Sequence, residues 1–192
     1  MIDNYPNLII DIETGQEIDA FEAAKKIACN KLKTSEIKQL SSAVANGVNI
    51  YNKEAATYAL SWIENRSQAL AILIDILSTS KNHERVRGQA AEGIGLIRPS
   101  RKFKLRMVAE KILLDTLNDP SPIIRFWSCY AVGELKMKEA LPILKELQEK
   151  DSEFCPGWWY ISEEAEDAVA KINNRKWKDR VPINQRVVAR SY

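Results

Sequence analysis

Asp119-Pro120-Ser121-Pro122-Ile123-Ile124-Arg125-Phe126-Trp127-Ser128-Cys129-Tyr130-Ala131-Val132-Gly133-Glu134-Leu135 reads as a tight turn followed by an amphipathic helix. Pro122 suits a first helical turn, where its missing N–H costs nothing, and Ser121 before it is placed to cap the free amides. Ile124, Ser128, Ala131, Val132 and Leu135 then share one face. The two small residues among them let another helix approach closely.

Weaker copies of this helix occur elsewhere. Ala56, Ala90, Ser128 and Ala165 align as small residues, followed three positions on by Ala59, Gly93, Ala131 and Ala168. Next come Leu60, Ile94, Val132 and Val169, and then Ile63, Ile97, Leu135 and Ile172. The copies are offset by 34, 38 and 37 residues. Such periods mark an α-solenoid, in which each helix pair buries its apolar face only by stacking on its neighbours.

The rest of the chain fits this reading. Helical patterns run over about 19–31, 35–47, 50–65, 67–78, 83–97, 102–117, 122–136, 138–149 and 162–172. Asp19 with Glu22 resembles a capping box at the start of the first. Asn7–Ile12 is β-prone and precedes the turn signal Thr14-Gly15, so residues 1–18 are expected to form a short extended cap. The prediction is a single all-α domain: about four helix pairs and an extra N-terminal helix over 19–173, then a basic tail over 174–192.

Composition narrows the function. With 45% hydrophobic residues and only 7 Gly and 7 Pro in 192 residues, the chain can bury one core and is not a disordered protein. The net charge of +2 does not by itself call for nucleic acid or a membrane. It is unevenly spread, because residues 174–192 hold six basic residues against one acid. Cys29, Cys129 and Cys155 have no disulfide or metal spacing, which fits reduced thiols. Met1–Tyr5 has no leader-like pattern, and Leu70–Leu77 is too short to span a bilayer, so a cytoplasmic protein is expected.

Val86-Arg87 with Ala90 and Ile94-Gly95, Asp119–Arg125 with Ala131-Val132-Gly133, and Ala140-Leu141-Pro142-Ile143-Leu144 together resemble HEAT-like repeats of the bilin-lyase type. The resemblance runs from about Ser35 to Asn173. Lys53 replaces the repeated arginine in the first copy, and Ser162 replaces it in the last. It implies a right-handed superhelix that binds other macromolecules, and no particular chemistry.

No enzymatic pattern emerges. His83 stands alone in a polar turn, metal-ligand clusters and phosphate loops are missing, and Gly93-Ile94-Gly95 reads as helix packing. Glu163, Glu164, Glu166 and Asp167 suit a helix N-terminus. No cofactor is expected. Arg87 and Arg125 recur in register and read as repeat-holding residues that bond carbonyls or pair with Asp119 or Glu84.

Aromatic residues are the better candidates. One flank of the repeated helices carries Tyr51, Tyr58 and Trp62, then Trp127 and Tyr130, then Tyr160. Such a flank either packs between repeats or faces the concave groove, where Tyr and Trp dominate binding hot spots. The loop Asp151–Tyr160, with Trp158, Trp159 and Tyr160, is either a lid on the core or a binding loop. Basic residues offer an alternative: Arg98, Arg101, Lys102, Lys104 and Arg106, with Lys176, Trp177 and Lys178, could form a phosphate-binding rim. Val187-Val188-Ala189 is apolar enough to dock on the solenoid. The leading expectation is a non-enzymatic protein-binding scaffold, with an inhibitor or immunity-type protein as one form of it. Its rivals are a nucleic-acid binder related to DNA-repair glycosylases and a bilin lyase or chaperone.

Overall fold

The computed structural model describes residues 5–100 and 104–186. Among the described residues eleven α-helices follow one another: α1 Tyr5–Thr14, α2 Glu17–Ile27, α3 Thr34–Asn46, α4 Ile50–Trp62, α5 Arg66–Ser78, α6 Glu84–Ile97, α7 Lys104–Thr116, α8 Pro122–Glu134, α9 Leu141–Lys150, α10 Ile161–Ile172 and α11 Ile183–Arg186, with a 3-10 turn at Lys138–Ala140 before α9. No strand is present among the described residues, which hold one isolated bridge between Phe154 and Tyr160.

The helices form two rows. In the inner row α2, α4, α6, α8 and α10 each pack on the next, while α3, α5, α7 and α9 back them from outside. Small residues explain the order of the inner row. A Cβ added to Gly95 would lie 2.9 Å from the Cα of Ala131, and one on Gly133 would lie 2.9 Å from the Cα of Ala168. Gly93 meets Ser61 in the same way. These three contacts occupy one repeated position, so a single rung is used at the α4–α6, α6–α8 and α8–α10 junctions. The aligned aliphatics Leu60, Ile94, Val132, Ile63, Ile97, Leu135 and Ile172 are buried beside it.

Three expectations need correction. The N-terminal segment is not extended; it is helix α1, which completes a fifth pair with α2. Tyr5, Leu8, Ile9 and Ile12 follow helical spacing and pack on the core, while Ile10, which a strand would place with Leu8 and Ile12, is 55% exposed. The buried amide of Asn52 on α4 locks α1 in place by donating to the carbonyls of Ile12 (2.8 Å) and Gly15 (2.9 Å). Helix α2 begins at Glu17 and stops at Ile27, since Cys29 turns into the left-handed region with φ 62°. Ser121 does not cap α8 with its side chain. Its hydroxyl donates to Glu84 (2.6 Å) instead, and its N–H is taken up by Asp119 Oδ1 (3.0 Å).

Candidate functional site

The inner row presents a groove whose middle lies over α6, α8 and the loop before α10. Trp127 and Tyr130 project into it from one flank of α8, with rings edge to face at 5.7 Å. The loop brings Trp158 to the same place, 5.1 Å from Trp127. It does so because Pro156-Gly157 makes a tight turn, closed by Trp158 N–H to the Cys155 carbonyl (3.0 Å), with Gly157 at φ 82°. Trp159 borders the same hollow from deeper in the fold, packing on buried Phe126 (5.7 Å) and donating its indole N–H to Glu164 (2.9 Å). The loop thus lays Trp158 along the groove and packs Trp159 on the core. Tyr160 is turned outward against Phe154.

Tyr51, Tyr58 and Trp62 lie on the equivalent flank of α4 and form a separate group. Tyr58 packs between Phe21 (6.2 Å) and Trp62 (6.3 Å). The guanidinium of Arg85 lies 4.9 Å from the ring centre of Tyr51 while pairing with Glu54 (2.7 Å).

Two hollows open between these groups. One of about 370 Å³ is bounded by Trp127, Tyr130, Trp158, Glu92, Glu164 and the chain at 177–180. Its neighbour of about 560 Å³ reaches Tyr58, Glu54 and Arg85, and the two share Glu92, Trp127 and Trp158. Burial pushes the Glu92 carboxyl up to about 6, against a hydrogen bond from Gln89. Burial likewise raises Glu164 to about 7, opposed by Lys171 and by the Trp159 indole. The Tyr130 hydroxyl is raised by burial and by nearby Glu134. Glu134 ends below the usual range, because Lys171 and Arg98 outweigh its burial.

Glu92 was not singled out from the sequence. It holds in α6 the position of Tyr58 in α4 and Tyr130 in α8, so carrying the aromatic overlay through α6 would have found it. The acidic cluster of α10 divides in two. Glu164 faces the groove, whereas Glu163, Glu166 and Asp167 bind the returning tail. Arg180 reaches Asp167 (2.8 Å) and Glu166 (2.7 Å), Lys178 reaches Glu166 (2.7 Å), and Arg186 reaches Glu163 (2.9 Å).

The basic residues do not assemble into one rim. Arg106 is buried, bonding Glu110 and the carbonyls of Pro99 and Leu135, while Lys104 is exposed on the outer row. Arg101 and Lys102 lie outside the described residues, as does Val187-Val188-Ala189. Arg98, Lys176 and Trp177 do meet, with Lys136, Lys171 and Arg175, around a hollow of about 650 Å³ at the C-terminal ends of α6, α8 and α10. Arg98 and Lys171 both pair with Glu134 there. Arg87 bonds the Leu77 carbonyl (2.9 Å) and Asp119 (2.9 Å). Arg125 bonds Asp151 (2.8 Å), Glu153 (2.6 Å) and the carbonyls of Asp119 and Pro120. Among the described residues no group of His, Cys, Asp and Glu is placed to hold a metal, and no helix is long and apolar enough to cross a membrane.

Comparison with known proteins agrees with this architecture. No curated protein matches the chain in sequence. Among solved structures it is similar to a computationally designed armadillo repeat protein for modular peptide recognition. The TM-score is 0.53 at 19% identity, over 88% of this chain and 81% of that one. Residues 78–155 match the HEAT repeats family, a stretch that contains both α6 and α8. Residues 78–155 are therefore similar to HEAT repeats, within a chain whose described residues fold as an all-α helical repeat solenoid.

Proposed function

We propose that the chain is a non-enzymatic module that holds a segment of another protein along its inner groove. The observation that carries this reading is the Trp127–Tyr130–Trp158 cluster. Three large aromatics converge from a helix and a loop onto a hollow, and Trp158 remains 39% exposed there. Aromatics that serve only the core are usually covered. Tyr and Trp in a preformed concavity are the residues that anchor protein interfaces. The likeness to a protein designed for peptide recognition adds a fold-level analogy. An inhibitor or immunity-type protein would use such a groove.

A second reading, nucleic-acid binding, draws on the basic hollow around Arg98, Arg175, Lys176 and Trp177. It is the weaker one. Helix C-termini point partial negative charge into that hollow, and two of its cations already serve Glu134. A bilin-handling role has only the repeat type behind it.

Affinity capture from the native cell tests the leading reading. A variant carrying Trp127→Ser, Tyr130→Ser and Trp158→Ser should lose the partner that wild type retains, with helical circular dichroism unchanged. Equal capture by both would sink it. Oligonucleotide binding that falls steeply with salt would favour the second reading instead.

A further inference from the structure

The groove holds cations in a repeated manner. At α4–α6 the guanidinium of Arg85 lies over Tyr51 and pairs with Glu54. At α8–α10 the ammonium of Lys171 lies 4.7 Å from the Tyr130 ring centre and pairs with Glu134 (2.8 Å). Each station joins an aromatic face to a carboxylate, and at the second the ammonium also lies 5.4 Å from the Trp177 ring centre. Between them Trp127 and Trp158 supply the aromatic faces and Glu92 the carboxylate, but among the described residues no cation pairs with Glu92. It accepts only the Gln89 amide (2.6 Å). Glu164, on the same cavity, accepts only the Trp159 indole. Lys171, Lys178 and Arg180 also border this cavity, yet Lys171 is paired with Glu134 and the other two are engaged by Glu163, Glu166 and Asp167, so that Lys171 acts on Glu164 only through space.

We propose that this middle station takes an arginine side chain presented by the bound protein segment, stacked on the Trp127–Trp158 aromatics and paired with Glu92. The proposal rests on the protein-binding reading of the groove and names the chemistry that reading leaves open. The cavity of about 370 Å³ has room for one long side chain. Arginine suits it better than lysine, because a planar, weakly hydrated guanidinium loses less on leaving water and stacks on an indole. The burial that raises Glu92 and Glu164 is the condition under which an incoming cation gains most from pairing. Glu164 adds a second carboxylate at the inner wall.

The test uses the full chain and a phage-displayed library of random nonapeptides, selected on wild type. Synthetic copies of the selected peptides are then titrated. The expected binders share an arginine whose replacement by glutamine lowers affinity about tenfold or more, with lysine intermediate. Glu92→Gln should lower affinity to a similar degree without lowering the melting temperature. Peptides that depend on Trp127 but tolerate both the loss of arginine and Glu92→Gln would overturn this inference and leave the groove reading standing. Peptides indifferent to Trp127→Ala as well as Glu92→Gln would overturn both. Single-stranded oligonucleotide binding that Glu92→Gln strengthens would also count against it.

Discussion

Helix α8 joins two regions that treat charge in opposite ways. At its turn end the cations are matched within the chain. Arg87 ties the end of α5 to the turn before α8, and Arg125 ties that turn to Asp151 and Glu153 beyond α9. One turn further along the same helix, Trp127 and Tyr130 face a groove where Glu92 and Glu164 have no ion-pair partner among the described residues. The contrast separates holding the repeats together from holding something else. A structural arginine is recognised by carbonyls and carboxylates that converge on it. A binding surface is recognised by groups whose best partners are not yet there.

The largest effect should come from breaking the turn end. Arg125→Ala removes a guanidinium that is 8% exposed and strands Asp151, which is expected to cost about 3 kcal/mol or more of stability in a denaturant titration. Below its melting temperature the variant should still bind. Loss of binding by a folded Arg125→Ala would erase the distinction between the two regions. Next comes the groove. Trp127→Ala with Trp158→Ala should weaken partner binding by about 2 kcal/mol or more, roughly thirtyfold, by calorimetry. Trp62→Ala, outside the two hollows and next to Tyr58, should change it little. The reverse ranking would move the site toward α4.

A smaller effect sharpens what both regions depend on, the spacing of the inner row. Replacing a mid-helix glycine by alanine ordinarily stabilises by about 1 kcal/mol. Gly133→Ala should instead destabilise, by about 1 kcal/mol net, because the new Cβ meets the Ala168 backbone at 2.9 Å. Thermal melts of this variant would read the sign. The smallest effect is one of pH. Glu92 and Glu164 have folded-state values raised from 4.5 to about 6 and about 7. Between those limits the folded chain binds protons that the unfolded chain releases, so their effect is to lower stability as pH rises. Glu134, Glu163 and Glu166 are shifted down, so they act the other way only on the acid side of 4.5. Melting temperature should therefore fall from about pH 5 to about pH 8, and Glu164→Gln should flatten that fall.

How much of this was legible in the sequence depended on which force decides each feature. The rung of Ala59, Gly93, Ala131 and Ala168 was legible because close approach of two helices depends on residue size alone. Helix α1 was not, since Ile9, Ile10 and Ile12 are strand formers in isolation and helical only through packing on α2, α3 and α4. Trp127 and Tyr130 could be pointed to by register. Their meeting with Trp158 could not, because it depends on the turn at Pro156-Gly157. The basic tail and the acidic start of α10 were each visible, but opposite charges distant in sequence do not announce that they pair. Glu92 was hidden for a simpler reason: a search for aromatics passes over the carboxylate that stands in an aromatic position.

The central claim is that protein binding occurs over the middle of the inner groove. Hydrogen–deuterium exchange on the chain with its captured partner bound tests it most directly. Added protection is expected in residues 85–92, 127–134 and 155–160, with none in the outer helix α7. Protection confined to α7 and the outer row, with the groove unchanged, would contradict it.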